Sequence, residues 1–189
     1  MLNHIRPALT LLIAMTALTG LGYPLAINGI AQAVMPAKAN GSLIERDGKV
    51  IGSSLIGQAF TSDRYFWPRP SATGPDPYNA AASSGSNLGT TSVKLKERVT
   101  ADVARLTETG IVQPVPGDAV TTSGSGLDPH VSPAFAAAQV ARVAQARGLQ
   151  PAAVTTLVEQ AIETPDFGVI GEPRVNVLEL NLALDALNR

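Results

Sequence analysis

The distribution of charge separates one long apolar segment from the rest of the chain. No Asp, Glu, Lys or Arg occurs between Arg6 and Lys38, and residues 8–35 are rich in Leu, Ile, Ala, Met and Thr. Because about 20 such residues cross the core of a bilayer, the pattern predicts a transmembrane helix over 8–35. Pro24 removes a backbone donor inside this helix, so we expect the helix to be loosened or kinked there.

A cleaved secretory signal is the alternative interpretation of this segment. The pattern of two small residues separated by one other residue, which signal peptidases cleave, occurs at 31–33 and at 37–39. The apolar region of a signal peptide spans about 7 to 15 residues, whereas here apolar character continues to Ile30, which favours a retained anchor. Both interpretations place the following domain across the membrane. The sequence therefore predicts a short cytoplasmic N-terminus at 1–7, a single-pass helix at 8–35 and an extracytoplasmic domain at 36–189.

Turn chemistry predicts a β-hairpin directly after the apolar segment. Residues 42–45 and 49–52 have strand character and flank the dipeptide Asp47-Gly48. Asp-Gly is typical of the two-residue turns that join antiparallel strands. We therefore expect the chain to reverse at Asp47-Gly48.

Four later segments carry the helical repeat of apolar residues. In the first, Thr91 or Ser92 can cap a stripe formed by Leu95, Val99, Val103 and Leu106, and Gly110 ends it. The other predicted helices run from Pro133 to Arg147 with Ser132 as cap and Gly148 as stop, from Pro151 to before Pro165, and from Asn176 onward with Val177, Leu180, Leu184 and Leu187 as the buried stripe. The expected fold class is α+β, with the N-terminal transmembrane helix followed by one mixed, mostly helical extracytoplasmic domain with a small sheet.

Two segments are rich in turn-forming residues. Residues 68–91 contain clustered Pro, Gly, Ser, Ala and Asn, a composition typical of a linker or of disorder, and 121–126 form a second Gly/Ser loop. A structureless stretch as long as the first is uncommon inside a compact domain unless it is functional or mobile. The first loop is therefore a candidate functional segment.

Composition excludes several classes of function. With 14 basic and 15 acidic residues the net charge is −1, which argues against a nucleic-acid partner. The chain has no Cys, so disulfides, thiolate metal sites and cysteine nucleophiles are excluded. Its two histidines are His4 and His130, so histidine chemistry in the domain would have to use His130.

Two motifs invite a catalytic or ligand-binding interpretation. Residues 85–89 could offer backbone amides to an anion, but they lack the Gly-Lys-Ser/Thr ending of a phosphate loop, and a plain helix entry is favoured. Asp128 and His130 with Ser123 or Ser125 contain the residue types of a hydrolase triad, without the Gly-x-Ser-x-Gly frame of a nucleophile elbow. We favour a hydrogen-bonded turn that fixes two loops, and no further ligand cluster supports a metal site.

The aromatic run Tyr65-Phe66-Trp67 has two interpretations of equal weight. Aromatic residues make up only 4% of the chain, and three of them are consecutive here. They could form a docking surface, because aromatics supply large contact areas, or they could cover the small core.

Taken together, these motifs resemble the C subunit family of the bacterial potassium-transporting P-type ATPase, the Kdp complex. The resemblance covers almost the whole chain, but the family more often continues Pro-Thr-Asn-Pro after the glycine at position 89, where this chain has Thr90-Thr91-Ser92-Val93. Besides the N-terminal span, the matching motifs are 65–67 with 69–71, Tyr78-Asn79, 84–89, 122–130 and 173–178.

The resemblance implies a non-catalytic subunit of an inner-membrane complex that hydrolyses ATP to import potassium. Its implied partners are a potassium-conducting A subunit, an ATP-hydrolysing B subunit and a small F subunit. The family is described as a catalytic chaperone that raises the ATP affinity of the B subunit, sometimes with ATP binding of its own. A periplasmic domain cannot meet cytoplasmic ATP, so physical reasoning predicts no bound cofactor, and ATP enters only as a family implication.

The resemblance also supplies candidate residues for contact with partner subunits. No catalytic or metal-ligating residue is expected, and the rival function is a secreted periplasmic binding or hydrolytic protein released by signal cleavage. The candidates are Tyr65, Phe66, Trp67, Arg69, Tyr78, Asn79, Ser86, Asn87, Gly89, Ser123, Gly124, Ser125, Gly126, Asp128, His130, Arg174 and Asn176.

Overall fold

The N-terminal apolar segment is helical throughout. In a computed structural model of the protein, which describes residues 2–187, the helix Ile5–Val34 is 30 residues long and apolar enough to cross a membrane. It consists of α1 (Ile5–Met15), a π-helical stretch (Thr16–Gly22) and α2 (Tyr23–Val34), after a 3₁₀ turn at Leu2–His4. The irregularity expected at Pro24 takes the form of this π-helical stretch, in which the Tyr23 amide donates to the Leu18 carbonyl, five residues back. None of the most apolar part of this helix is buried by the protein itself.

The predicted hairpin is confirmed. After the short helix α3 (Pro36–Ala39), strand β1 (Leu43–Arg46) pairs antiparallel with β2 (Lys49–Ser53). Asp47 and Gly48 have φ values of 52° and 73°, as a type I′ turn requires at both central positions. The chain divides into two compact units at Ser53, so this hairpin clusters with the helix, whereas the sequence analysis grouped it with residues 36–189.

The second unit begins at Ser54, and its residues up to 187 form four helices and a small sheet, which confirms the α+β class. All four predicted helices are present, and three have the predicted caps: the side chains of Ser92, Ser132 and Asn176 accept hydrogen bonds from the first-turn amides. The elements are α4 (Val93–Glu108), β3 (His130–Val131), α5 (Pro133–Arg147), α6 (Pro151–Gln160), β4 (Ile162–Glu163), β5 (Arg174–Asn176) and α7 (Val177–Ala186), with 3₁₀ turns at Ala80–Ala82 and Gly117–Ala119.

The sheet of the second unit was not placed by the sequence analysis. Its order is β3-β5-β4, both pairs antiparallel, and each strand has only two or three residues. The helix predicted to reach Pro165 ends at Gln160, because Ile162 and Glu163 pair instead with Val175 and Arg174. Alternation over so few residues leaves no readable period, so these strands depend on tertiary pairing.

The core lies among α5, α6, α7 and the central strand β5. Phe135, Val143, Val154, Val175 and Leu184 are among its fully buried residues. The end of the predicted α7 stripe is wrong, since Leu187 lies past the last helical residue and is 48% exposed.

The aromatic segment 65–67 lies outside any helix or strand, and side chains of the core bind its backbone. The Phe66 amide donates to Asn181 Oδ1 at 2.8 Å, and Asn181 Nδ2 donates to the Phe66 carbonyl at 3.0 Å. Gln139 binds the amide and carbonyl of Trp67 in the same way, at 2.7 and 3.1 Å. Both amide side chains are buried, so each takes the place of a neighbouring strand.

A buried arginine completes this arrangement. The Arg142 guanidinium lies 3.7 Å from the centroid of the Trp67 ring and donates to Gln139 Oε1 and to the carbonyls of Asp63 and Tyr65. Burial lowers the pKa of Arg142 to about 10, with the Asp63 carboxylate opposing that shift, so the side chain stays charged at neutral pH. Phe66 and Trp67 are buried, which decides for these two residues in favour of core packing, while Tyr65 is half-buried.

We predict that Gln139→Ala lowers the free energy of unfolding by about 3 kcal/mol, because it leaves the buried amide and carbonyl of Trp67 without partners. Gln145→Ala on the exposed face of the same helix is the matched control and should change stability by less than about 0.5 kcal/mol. The measurement is urea unfolding of the full chain in detergent, followed by the fluorescence of Trp67, the sole tryptophan. Equal stability of the two variants would contradict the structural role of this amide.

Candidate functional site

Five charged or titratable side chains form a row along the edge of the small sheet. We call Arg69, Asp128, His130, Glu163 and Arg174 the charged row. Arg69 Nη1 lies 2.9 Å from Asp128 Oδ2, and Asp128 Oδ1 lies 3.2 Å from His130 Nδ1. On the other side of the ring, His130 Nε2 lies 3.7 Å from Glu163 Oε1, and Glu163 Oε2 lies 2.9 Å from Arg174 Nε. Each carboxylate therefore lies between an arginine and the imidazole.

The strands bring the row together. His130 begins β3, and Glu163 and Arg174 are directly opposite each other on β4 and β5. Asp128 is positioned locally, since its Oδ1 accepts from the His130 amide at 3.0 Å, two residues on. The side chains of Asp128 and His130 thus lie on the same side of the chain, because the turn fixes Asp128 and the strand fixes His130.

The charge state of Asp128 follows from these contacts. Partial burial alone would raise the pKa of Asp128. The hydrogen bonds from the His130 ring and amide, together with the charges of Arg69 and His130, outweigh burial and lower this pKa to about 2. Asp128 is therefore a carboxylate at any physiological pH.

Arg69 links the charged row to the first Gly/Pro-rich loop. Its Nε donates to the Thr121 carbonyl at 3.2 Å, and its own carbonyl accepts from the Tyr78 hydroxyl at 2.6 Å. Burial is the main cause of a raised pKa for Tyr78, so this hydroxyl remains a donor. Gly57 makes room for the tyrosine, because a Cβ there would lie 2.5 Å from the ring.

The two turn-rich loops, residues 68–91 and 121–126, bind each other. The Ser84 amide and the Ser83 hydroxyl both donate to the Ser125 carbonyl at 3.0 Å, and the Ser71 hydroxyl donates to the Gly126 carbonyl at 2.7 Å. Thr73 Oγ1 accepts from the Asn79 amide, which fixes the first loop internally. Residues 68–91 are therefore an ordered irregular segment instead of a free linker.

The hydroxyls of the two candidate nucleophiles, Ser123 and Ser125, accept hydrogen bonds from backbone amides of residues 126 and 127. Ser123 Oγ accepts from the Gly126 amide at 2.8 Å, and Ser125 Oγ accepts from the Leu127 amide at 3.1 Å. Asp128 and His130 face Arg69 and Glu163. The geometry matches the interpretation as a hydrogen-bonded turn that fixes two loops.

An open depression of about 280 Å³ lies beside the row and is lined by Arg69, Asp128, His130, Glu172 and Arg174 among others. A second groove, of about 580 Å³, adjoins it through Arg69 and includes Trp67, Tyr78 and Arg105. Within residues 2–187 no three His, Asp or Glu side chains are grouped so that they could hold a metal ion.

The remaining candidate residues are not grouped at one site. Asn176 is buried, caps α7 and donates to the Ser54 carbonyl at 2.8 Å, while Asn79 accepts from the Ala81 amide at 3.0 Å. Ser86 is half-buried, whereas Asn87, Gly89 and Gly124 are exposed.

Sequence reasoning missed Glu163, Gln139, Arg142 and Asn181. Gln139 and Arg142 follow the buried Phe135 at helical spacing on α5, so polar residues on a buried stripe were an available signal. Glu163 lies on a strand that has no sequence signature, and it joins the row only through pairing.

Comparison with known proteins identifies a family for this chain. The family model described as "KdpC: K+-transporting ATPase, c chain" matches residues 5–186. A protein of Allorhizobium ampelinum named "Potassium-transporting ATPase KdpC subunit" is 58% identical over 98% of this chain and 97% of its own length. Proteins of the same name from Methylorubrum populi and Methylococcus capsulatus are each 56% identical, over 100% and 99% of this chain and the full length of each relative.

We predict that Gly126→Ala destabilises the domain by at least about 2 kcal/mol, because φ is +70° and a Cβ would lie 2.6 Å from the Ser84 carbonyl oxygen. Gly124→Ala is the matched control, since nothing lies within 4 Å of its Cβ position. Thermal unfolding of the two variants in detergent measures the difference, and similar melting temperatures would show that the loops do not bind each other this closely.

We also predict an acid-sensitive contribution from Asp128. Its pKa is lower in the folded chain than in the unfolded chain, so the stabilisation is complete above about pH 4 and is lost as the pH falls towards about 2. Asp128→Asn should flatten the decrease in unfolding free energy over this interval, while Asp76→Asn, at an exposed site, should leave it unchanged. Urea unfolding at several pH values tests this, and identical slopes for the native chain and Asp128→Asn would refute it.

Proposed function

The chain belongs to the KdpC family of K+-transporting ATPase subunits, and from that premise we propose how it serves the complex. It acts as a non-catalytic accessory subunit, anchored in the bacterial inner membrane by the helix Ile5–Val34, with its C-terminal domain in the periplasm. There it assembles with the potassium-conducting A subunit, the ATP-hydrolysing B subunit and the small F subunit.

The observation that carries this proposal is the extent of the family match. The match starts at residue 5, the first residue of the apolar helix, and ends at residue 186, the last residue of α7. Helix and domain therefore belong to one family unit, which favours a retained anchor over a secreted protein released by signal cleavage. A helix whose apolar side chains are not buried by the protein needs lipid or other helices around it, and both are available in a membrane complex.

The chemistry of the domain supports an assembly role. Both carboxylates of the charged row are paired with arginines, and the serine hydroxyls beside it bind loop backbone. Paired groups of this kind hold a surface in a fixed shape and leave little free reactivity. The domain thus suits a subunit that positions its partners.

We propose that this domain does not itself bind ATP. At the Gly-rich loop, a Cβ on Gly85 would lie 3.0 Å from the Gly124 carbonyl oxygen, so the loop packs on protein where a phosphate loop would leave space. The catalytic-chaperone role implied by the family, a higher ATP affinity of the B subunit, would then be transmitted through the assembled complex. Direct ATP binding is the competing proposal.

We predict that potassium-stimulated ATP hydrolysis in membranes containing the A, B and F subunits requires this chain. Activity should be lost without it and return with the full chain, and the full chain should stay with the membrane during alkaline extraction because its helix is buried in lipid. A chain that starts at Ala39 is the control, because it shows whether the domain restores ATP hydrolysis without the membrane helix. Full activity without the chain, or its release at alkaline pH, would contradict the assignment.

A further inference from the structure

The connection between β4 and β5 exposes three large apolar side chains in succession. We call Phe167, Val169 and Ile170 the apolar turn; their exposures are 95%, 82% and 60%. Single exposed apolar residues are ordinary on protein surfaces, whereas several large ones within one short turn, an aromatic among them, are typical of an interaction site. Neither the charged row nor the core uses these residues.

The apolar turn is held rigidly. Asp166 and Ile170 exchange backbone hydrogen bonds, both 2.9 Å long, and the Gly168 amide donates to the Pro165 carbonyl at 3.0 Å. At its base, the ion pair between Glu163 and Arg174 joins the two strands. A rigid turn loses little conformational entropy when it is buried by a partner, which is the physical condition for an anchor in a binding pocket.

The surroundings of the turn are acidic. Between Gly148 and Pro173 the chain has four acidic residues and no Lys or Arg, and two of the four, Asp166 and Glu172, lie on either side of the turn. The next basic residue, Arg174, is paired with Glu163. Both flanking residues are exposed. A surface of this charge is repelled by the phosphates of a bilayer and attracted to basic groups.

We propose that the apolar turn docks into an apolar pocket with a basic rim on another subunit of the ATPase complex. Aromatic anchors inserted into desolvated pockets, with charged residues at the rim, are the usual composition of a protein interface. Phe167 and Val169 fill the pocket, and Asp166 and Glu172 meet its rim. The proposal rests on the proposed function, since it requires the assembled complex.

Thiol accessibility tests the proposal, because the chain has no native cysteine. Val169→Cys places one thiol in the apolar turn, and Val112→Cys places one at a valine of matched exposure, 82% against 83%. Each variant is treated with a water-soluble maleimide, first as the purified full chain in detergent and then in the purified complex. The Val169→Cys thiol should react at least tenfold more slowly in the complex, and the Val112→Cys thiol equally fast in both.

The outcomes separate this proposal from the proposed function. A complex that assembles normally while the Val169→Cys thiol stays fully reactive overturns the docking proposal alone, whereas failure of the native chain to co-purify overturns both. Protection of this thiol in phosphatidylcholine vesicles holding only this chain would identify the bilayer as the occupant and also overturn the proposal. Loss of assembly with Val169→Cys, but not with Val112→Cys, supports it.

Charge reversal tests the basic rim separately. Glu172→Lys should reduce the yield of co-purified complex severalfold at low salt, because it places a cation beside basic groups. Glu97→Lys, at an exposed position on α4, is the matched control and should leave the yield unchanged. Equal yields for the two variants would overturn the basic-rim part of the proposal.

Discussion

The domain depends on the way two buried amide side chains bind the backbone of segment 65–67. A chain segment that enters a core outside a helix or sheet still needs a partner for each buried amide and carbonyl, and the small sheet of this protein is formed by other strands. Asn181 from α7 and Gln139 from α5 meet this need, each with a donor and an acceptor in the same side chain. The aromatic side chains can therefore enter the core without exposing unsatisfied backbone groups.

The irregular part of the domain is built outward from this segment. Arg142 stacks on Trp67, and Arg69, two residues further on, reaches Asp128 and Thr121. Arg69 thereby connects the aromatic segment to the charged row, and the two Gly/Ser loops bind each other through Ser84 and Ser125. Segments whose composition resembles a linker become ordered because polar side chains supply the hydrogen bonds that regular secondary structure would supply.

This architecture agrees with the accessory role proposed for the chain. The carboxylates of the charged row are paired internally with arginines, while large exposed apolar side chains occur together on the helix Ile5–Val34 and in the turn around Phe167. Exposed apolar surface is costly in water, so each place needs a cover. A lipid bilayer is the proposed cover of the first, and a partner subunit is the proposed cover of the second.

The sequence by itself determined the local features of the protein. The long uncharged run, the Asp47-Gly48 turn and the caps at Ser92, Ser132 and Asn176 each depend on neighbouring residues, so helical periods and turn chemistry are sufficient to predict them. The motif around Asp128 and His130 was also visible as a turn that fixes two loops. Tertiary structure alone decided the strands around β5, the partners of Phe66 and Trp67, and the place of Glu163 in the charged row. Those features join residues far apart in the chain, and strands of two or three residues have no pattern until the core aligns them.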